Sequence, residues 1–138
     1  MALKVPKGAT GAFRIGTEDA HGCRFAIHAY GNGRGGWFVA THRFFGPDQD
    51  SGLQLLPDGE WPTLLHLIEL CDFWNLPEDG SHLDDPTVAV DDGIGLSVSG
   101  RDAARYHRVH RFNWWEPGLQ AVLTFGHRVS GFFERHPL

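Results

Sequence analysis

Two stretches decide the fold: Cys23-Arg24-Phe25-Ala26-Ile27-His28-Ala29-Tyr30 and Trp37-Phe38-Val39-Ala40-Thr41-His42-Arg43-Phe44-Phe45. In the first, Cys23, Phe25, Ile27 and Ala29 alternate with Arg24, Ala26, His28 and Tyr30, the period of two that gives a strand one apolar face. The second is apolar at both parities, with Trp37, Val39 and Phe45 on one face and Phe38, Ala40 and Phe44 on the other. A strand of that kind is expected to be covered on both sides. Between them, Gly31-Asn32-Gly33-Arg34-Gly35-Gly36 supplies residues that tolerate positive φ, so a hairpin with a longish loop is expected. The loop leads into a strand and not a helix N-terminus, so it does not fit a phosphate-cradling turn.

Working outward, Phe13 and Ile15 flank Arg14 in a further strand, and residues 46 to 59 are rich in loop-forming types. The period then changes: Trp61, Leu64, Leu65, Ile68, Cys71 and Phe73 or Trp74 form the stripe of an amphipathic helix. Glu60 and Pro62 suit its first turn, and Asn75 with Pro77 suits its end. After a loop at 77 to 86, short strands are expected at 87 to 90 and from Ile94, where Leu96 and Val98 alternate with Gly95, Ser97 and Ser99, and then at 105 to 112. Pro117 opens a last helix carrying Leu119, Val122, Leu123, Val129 and Phe133, which Gly126 and Gly131 weaken. Thr41-His42-Arg43-Phe44-Phe45 resembles Val109-His110-Arg111-Phe112-Asn113, which points to a strand-strand-helix pseudo-repeat. The expected fold is α+β: a single domain over residues 1–138, with a mostly antiparallel sheet of five or six strands and two helices on one face.

The run Glu60-Trp61-Pro62 to Cys71-Asp72-Phe73-Trp74-Asn75-Leu76-Pro77, followed by Asp92-Gly93 and Tyr106-His107-Arg108-Val109-His110-Arg111, resembles a pattern found in small bacterial α+β proteins. In that group a Trp-initiated helix ends in Phe-Trp-x-Leu-Pro, ahead of an Asp-Gly turn and a Tyr-His-x-Val-x-Arg strand. The group often has a Trp in the strand after Asp-Gly, where this chain has Leu96 or a neighbour. The resemblance spans roughly residues 60 to 125 and implies the fold and a bacterial source; it implies no activity.

With 138 residues and 41% hydrophobic content, the chain has material for one core. No apolar run approaches the roughly 20 residues of a membrane span, and the opening residues lack the apolar stretch of a signal peptide. A soluble, cytoplasmic protein with no membrane partner is expected. The net charge of -5 is unevenly spread: residues 47 to 100 hold twelve acids and no Lys or Arg, whereas the segments before and after them are net basic. Either the middle folds against the basic ends or it forms an acidic face, with Asp84, Asp85, Asp91 and Asp92 as its centre, for a basic partner. Net acidity argues against nucleic acid as a partner.

Nine His prompt a search for a metal or catalytic set, but no strong ligand spacing occurs. On a strand, His107 and His110 point to opposite faces. Asp48-x-Asp50-x-Gly52 lacks the later ligands of a calcium loop. Cys23 and Cys71 sit on apolar stripes, where burial makes a thiol inert. No metal or other cofactor is expected, and no Gly-x-Ser-x-Gly elbow occurs. Ser97 and Ser99 form a small polar strand face suited to packing or to the close approach of a ligand.

The stretch 105 to 112 carries the most chemistry. Arg105, His107, Val109 and Arg111 alternate with Tyr106, Arg108, His110 and Phe112, and alternation alone leaves the inward face open. If the aromatic face is inward, Arg105, His107 and Arg111 form a surface cationic ladder, either paired with the acidic middle or open to an anionic partner. Trp114-Trp115 and Phe132-Phe133 each leave one ring exposed unless the chain is covered on two sides, and one such patch used twice closes a symmetric homodimer. The candidate binding residues are therefore Arg105, Tyr106, His107, His110, Arg111, Trp114 and Trp115. Two functional classes follow. One is a non-enzymatic protein-binding module, of which an acidic inhibitor or immunity-type protein is an example. The other is a small enzyme or ligand-binding domain using a His/Arg/Tyr cluster on the sheet.

Overall fold

The structure, a computed structural model, describes residues 7–80 and 93–131. Its element order is β1 (Gly11–Asp19), β2 (Arg24–Asn32), β3 (Gly35–Arg43), β4 (Gln49–Asp50), β5 (Gln54–Leu55), α1 (Glu60–Leu70), a 3-10 turn (Phe73–Asn75), β6 (Ile94–Arg101), β7 (Tyr106–Phe112) and α2 (Pro117–Ser130). All pairings are antiparallel, in the order β4-β3-β2-β1-β6-β7, with β5 also on β3. The protein is α+β: a seven-stranded antiparallel sheet with two helices. Five strands are long, and the other two are two-residue ladders.

The inner face of the sheet is set by register. Phe13, Ile15, Phe25, Ile27, Ala29, Phe38, Ala40, Leu96, Val98 and Val109 meet Trp61, Leu64 and Ile68 of α1 and Leu119, Val122 and Leu123 of α2 in one core. The central part of β3 is buried at both parities, as its composition indicated: Phe38 and Ala40 face the helices, and Val39 on the opposite side is 5% exposed. The β2–β3 loop is tighter than expected. Asn32 pairs directly with Gly35, so only Gly33 and Arg34 lie between, and the Asn32 carboxamide accepts the Arg34 N–H at 2.8 Å.

Three glycines make room for the start of α1. Gly11, Gly31 and Gly36 are aligned across β1, β2 and β3, and the Trp61 indole lies against this row. A Cβ at Gly11 would come 3.2 Å from the indole, and one at Gly31 would fall inside its ring system. The helix ends sooner than its apolar stripe suggested, at Leu70, because Asp72 adopts a left-handed conformation with φ 53. Phe73 and Trp74 then continue in the 3-10 turn, and Phe73 remains fully buried. In α2, Pro117 occupies the first turn and Gly131 caps the end at φ 67, while Gly126 is a packing site: a Cβ there would come 3.0 Å from Ile27.

The matched pieces of the pseudo-repeat point opposite ways. His42 shares the helix-covered face with Phe38 and Ala40, whereas His110 alternates with the inward Val109. Only the left-handed exit is common to both, at Phe45 (φ 52) and Asn113 (φ 64). The strand expected at 87 to 90, Phe132-Phe133 and the acidic group Asp84, Asp85, Asp91 and Asp92 lie outside the described residues.

The chain itself lies along the outer edge of β3 and touches that of β7 at one point. Along β3, Ser51 N–H donates to the Ala40 carbonyl at 2.8 Å, the Ser51 hydroxyl accepts the Ala40 N–H at 3.0 Å, and Leu56 N–H donates to the Gly36 carbonyl at 2.9 Å. Along β7, His110 N–H donates to the Glu78 carbonyl at 2.7 Å.

Candidate functional site

Strand β7 is oriented by Val109, which pairs with Val98 beneath the helices. Tyr106, Arg108, His110 and Phe112 therefore face away from the helices, and His107 and Arg111 face toward them. This reverses the arrangement in which the aromatic face would be inward: Tyr106 is 67% exposed and Phe112 53%. No surface ladder of Arg105, His107 and Arg111 forms. Arg111 is turned into the protein and fully used. Its Nε and Nη2 grip the Glu116 carboxylate at 2.8 and 2.9 Å, and its Nη1 donates to the carbonyls of Pro77 and His110 at 2.9 and 2.8 Å. His107 Nε2 lies 2.6 Å from the Leu76 carbonyl, with its ring edge-on to Phe73. Both side chains fasten the segment after the 3-10 turn to the rim of the sheet.

Arg105 precedes β7. It lies 4.0 Å over the Trp74 ring and donates from Nε and Nη2 to the one oxygen Oδ2 of Asp102, whose carboxyl is held below its usual pKa chiefly by its side-chain hydrogen bonding to Arg105. Trp114 is 60% exposed, whereas Trp115 packs on the core and donates its indole N–H to Gln120 at 2.8 Å. Of the expected binding residues, only Tyr106 and His110 share the sheet face opposite the helices.

That face gains residues from other strands through register. Arg14 on β1 pairs with Ser99 on β6, which pairs with Arg108 on β7; one level along, Gly16 pairs with Ser97, which pairs with His110. Ser97 Oγ and His110 Nδ1 are 2.8 Å apart. The absence of a side chain at Gly16 lets the Arg14 guanidinium lie along the sheet, since a Cβ there would come 3.0 Å from Nη1. Arg14, Gly16, Glu18, Ala26, Thr41 and Ser97 are among the residues that line a hollow of about 300 Å³. At its far side, Arg24 is bidentate to Asp48 at 3.0 Å. Among the described residues, neither Arg14 nor Arg108 has an ion-pair partner. Strands β6 and β7 contain no acidic residue.

The field of Arg14 reaches His28, its partner on β2. Burial lowers the His28 pKa below 6.5, Arg14 lowers it further, and Asp50 opposes them. His127 on α2, packed on Phe25 with ring centroids 4.8 Å apart, is also lowered by burial. In the unfolded chain both titrate near 6.5, so the unfolded state binds more protons just below that pH. Their contribution to stability is complete above pH 6.5 and is lost as the pH falls toward their folded values. Thermal unfolding should occur at a lower temperature at pH 5.5 than at pH 7.5, and His127→Gln should reduce the difference. An unfolding temperature that holds or rises on acidification contradicts this.

Cys71 behaves as its stripe position indicated, with burial raising its thiol pKa. Among the described residues no group of three or more metal-ligating side chains occurs, and no helix is long and apolar enough to cross a membrane.

The molecule is thus an antiparallel α+β protein with helices on one sheet face and an arginine- and hydroxyl-bearing opposite face. No family model, curated protein or solved structure matches this chain.

Proposed function

We propose that this protein is a non-enzymatic binding module that presents the sheet face opposite its two described helices to an acidic partner. The observation that carries this reading is the placement of Arg14 and Arg108 on either side of the Ser97 and Ser99 hydroxyls, with no ion-pair partner for either arginine among the described residues. Guanidinium groups in such a setting suit carboxylates and phosphates, and they give specificity and rapid association more than raw affinity. The reading favours a protein partner engaged through charge. It keeps the binding-module expectation but replaces the basic partner expected of the acidic middle segment with an acidic one. The test is binding of a glutamate-rich peptide at low and high salt. The wild-type protein should bind at low salt and release the peptide as salt rises, and an Arg14→Gln/Arg108→Gln double variant should not bind. Undiminished binding by the double variant, or no binding by the wild type, removes the reading. Binding of a lysine-rich peptide instead supports an acidic inhibitor or immunity-type protein.

The contact between Ser97 and His110 favours a second reading, a small enzyme or ligand-binding domain in which the histidine activates the hydroxyl. A phosphonofluoridate should then add mass at Ser97 in the wild type and none in Ser97→Ala; no adduct in the wild type rules out an activated Ser97. Self-association through the exposed Trp114 is independent of the open face, and sedimentation at high protein concentration measures it. A concentration-independent monomer excludes it.

A further inference from the structure

We infer that the group recognised on the face opposite the two described helices is a phosphomonoester, held between Arg14 and Arg108 on the hydroxyls of β6. The inference rests on the binding-module reading and names the chemistry of its ligand. A carboxylate is planar, and one guanidinium satisfies both its oxygens from a single side. A phosphomonoester presents three terminal oxygens in a tetrahedral array, with a charge of about -1.5 to -2 at neutral pH, so it is best held by donors arriving from several directions.

The sheet supplies those directions. From β1, the Arg14 guanidinium lies over Gly16, the cross-strand partner of Ser97. From β7, Arg108 stands across from Ser99 and His110 across from Ser97. The two serines share one face of β6 between them, since residues two apart on a strand point the same way. Their side chains are short, so a ligand can approach β6 between the Arg14 guanidinium that lies over Gly16 and Arg108 on the other flank. Ser97 Oγ at 2.8 Å fixes the His110 ring through Nδ1, which turns Nε2 away from the serine. The hollow of about 300 Å³ beside Arg14 and Ser97 is lined also by Glu18 and by the Arg24–Asp48 pair, so the phosphate is assigned to its serine side, toward Arg108.

The nearby acidic groups define which side of the face can serve. Asp48 is occupied by both hydrogen bonds from Arg24, and the Asp50 carboxylate accepts the Gly52 N–H. Glu18 lies at the level of Gly95, one step beyond Gly16 along β1. These carboxylates belong to the β1 end and the β2–β4 side, and β6 and β7 add none. An anion is therefore drawn toward the serines and Arg108 and away from the Arg24–Asp48 pair.

A phosphate of this kind can come from a phosphorylated protein segment or from a small phosphorylated metabolite. Calorimetry with a short phosphoserine peptide and with adenosine monophosphate separates those sources, and the same peptide with Asp in place of phosphoserine serves as the carboxylate comparison. At least one phosphate probe should bind about tenfold or more tightly than the Asp peptide, consistent with the larger charge and the donor geometry. Arg14→Gln and Arg108→Gln should each weaken that binding about tenfold, as loss of one charge-assisted contact implies. Arg34→Gln, in the β2–β3 turn, should leave it unchanged. Ser99→Asp should abolish it by placing a carboxylate between the two arginines. Unchanged unfolding temperatures show that the variants remain folded. If the Asp peptide binds as well as the phosphate probes, the phosphate assignment falls and the acidic-partner reading stands. If neither arginine variant weakens phosphate binding, the assigned position is wrong. If no anionic probe, including the glutamate-rich peptide, binds at low salt, both readings fall.

Discussion

Gly31→Ala should be among the most destabilising single-methyl additions available in this chain. The methyl would fall within the Trp61 indole, which is 5% exposed and has Gly11 and Gly36 on the flanking strands. The backbone at Gly31 is paired on both sides, with Gly11 and with Gly36, so neither the strand nor the ring has an easy retreat. Overpacking of a filled core costs about 1 to 3 kcal/mol and occasionally more, and this site belongs at or above the upper end. Denaturant unfolding of the variant measures the loss directly. A loss below about 1 kcal/mol would mean that the indole can rotate away, and the close approach would then not be a constraint on the fold. Trp61→Ala supplies the complementary check: added to Gly31→Ala it should cost less than it does alone, because the first change has already displaced the ring.

Arg111→Ala should produce a loss of similar size by an opposite route, removing a group and leaving its partners behind. The Arg111 side chain is fully buried, while the Glu116 carboxylate that it grips is 23% exposed. Without the guanidinium, a partly buried carboxylate and the carbonyls of Pro77 and His110 lose their donors together. Breaking a buried ion pair from one side costs about 3 to 5 kcal/mol. Arg111→Lys should recover little, since one ammonium cannot reproduce a planar fork reaching both carboxylate oxygens and two carbonyls. Stability of Arg111→Lys within about 1 kcal/mol of wild type would show that charge alone suffices and that the fork geometry is incidental. On the same strand, Arg108 lies three residues before Arg111 and faces away from the helices, so the turn of β7 sends one arginine inward onto Glu116 and the other outward.

That turning is where sequence reading reached its limit. The strands around Phe25, Phe38 and Val98 and both helices were legible, since their apolar residues repeat at the period of the element that buries them. The orientation of β7 is not legible, because both its faces mix cations with bulky side chains, and its only buried apolar residue is Val109. An arginine facing the core is easily misread: its long stem packs well, and the acceptors that satisfy it come from residues 77, 110 and 116. Tyr106 and His110 were identified as candidates, but Arg14 and Arg108 were not singled out. Arg14 read as the polar residue between Phe13 and Ile15, and only the pairing of β1 with β6, across more than 70 intervening residues of chain, brings it beside Ser99. Strand order of that kind leaves no local signature. The early end of α1 escaped for a different reason, since an aspartate in a left-handed conformation interrupts an apolar stripe that continues on either side of it.

The segments lying along β3 and β7 have a consequence for how this protein can meet others. An unpaired strand edge is a template that another chain can extend by backbone hydrogen bonding, with little regard for side-chain identity. Here residues 51 and 56 already engage the backbone of β3, and residue 78 engages that of β7. Growth by strand addition, the route to fibrils and to indiscriminate pairing, is thereby obstructed along β3 and interrupted at His110 on β7. Under the binding-module proposal, an encounter falls to the broad face, where dissolved ions compete with the partner for the same charged groups. Such associations can be made and undone by changes in ionic conditions, with the sheet itself left as it was.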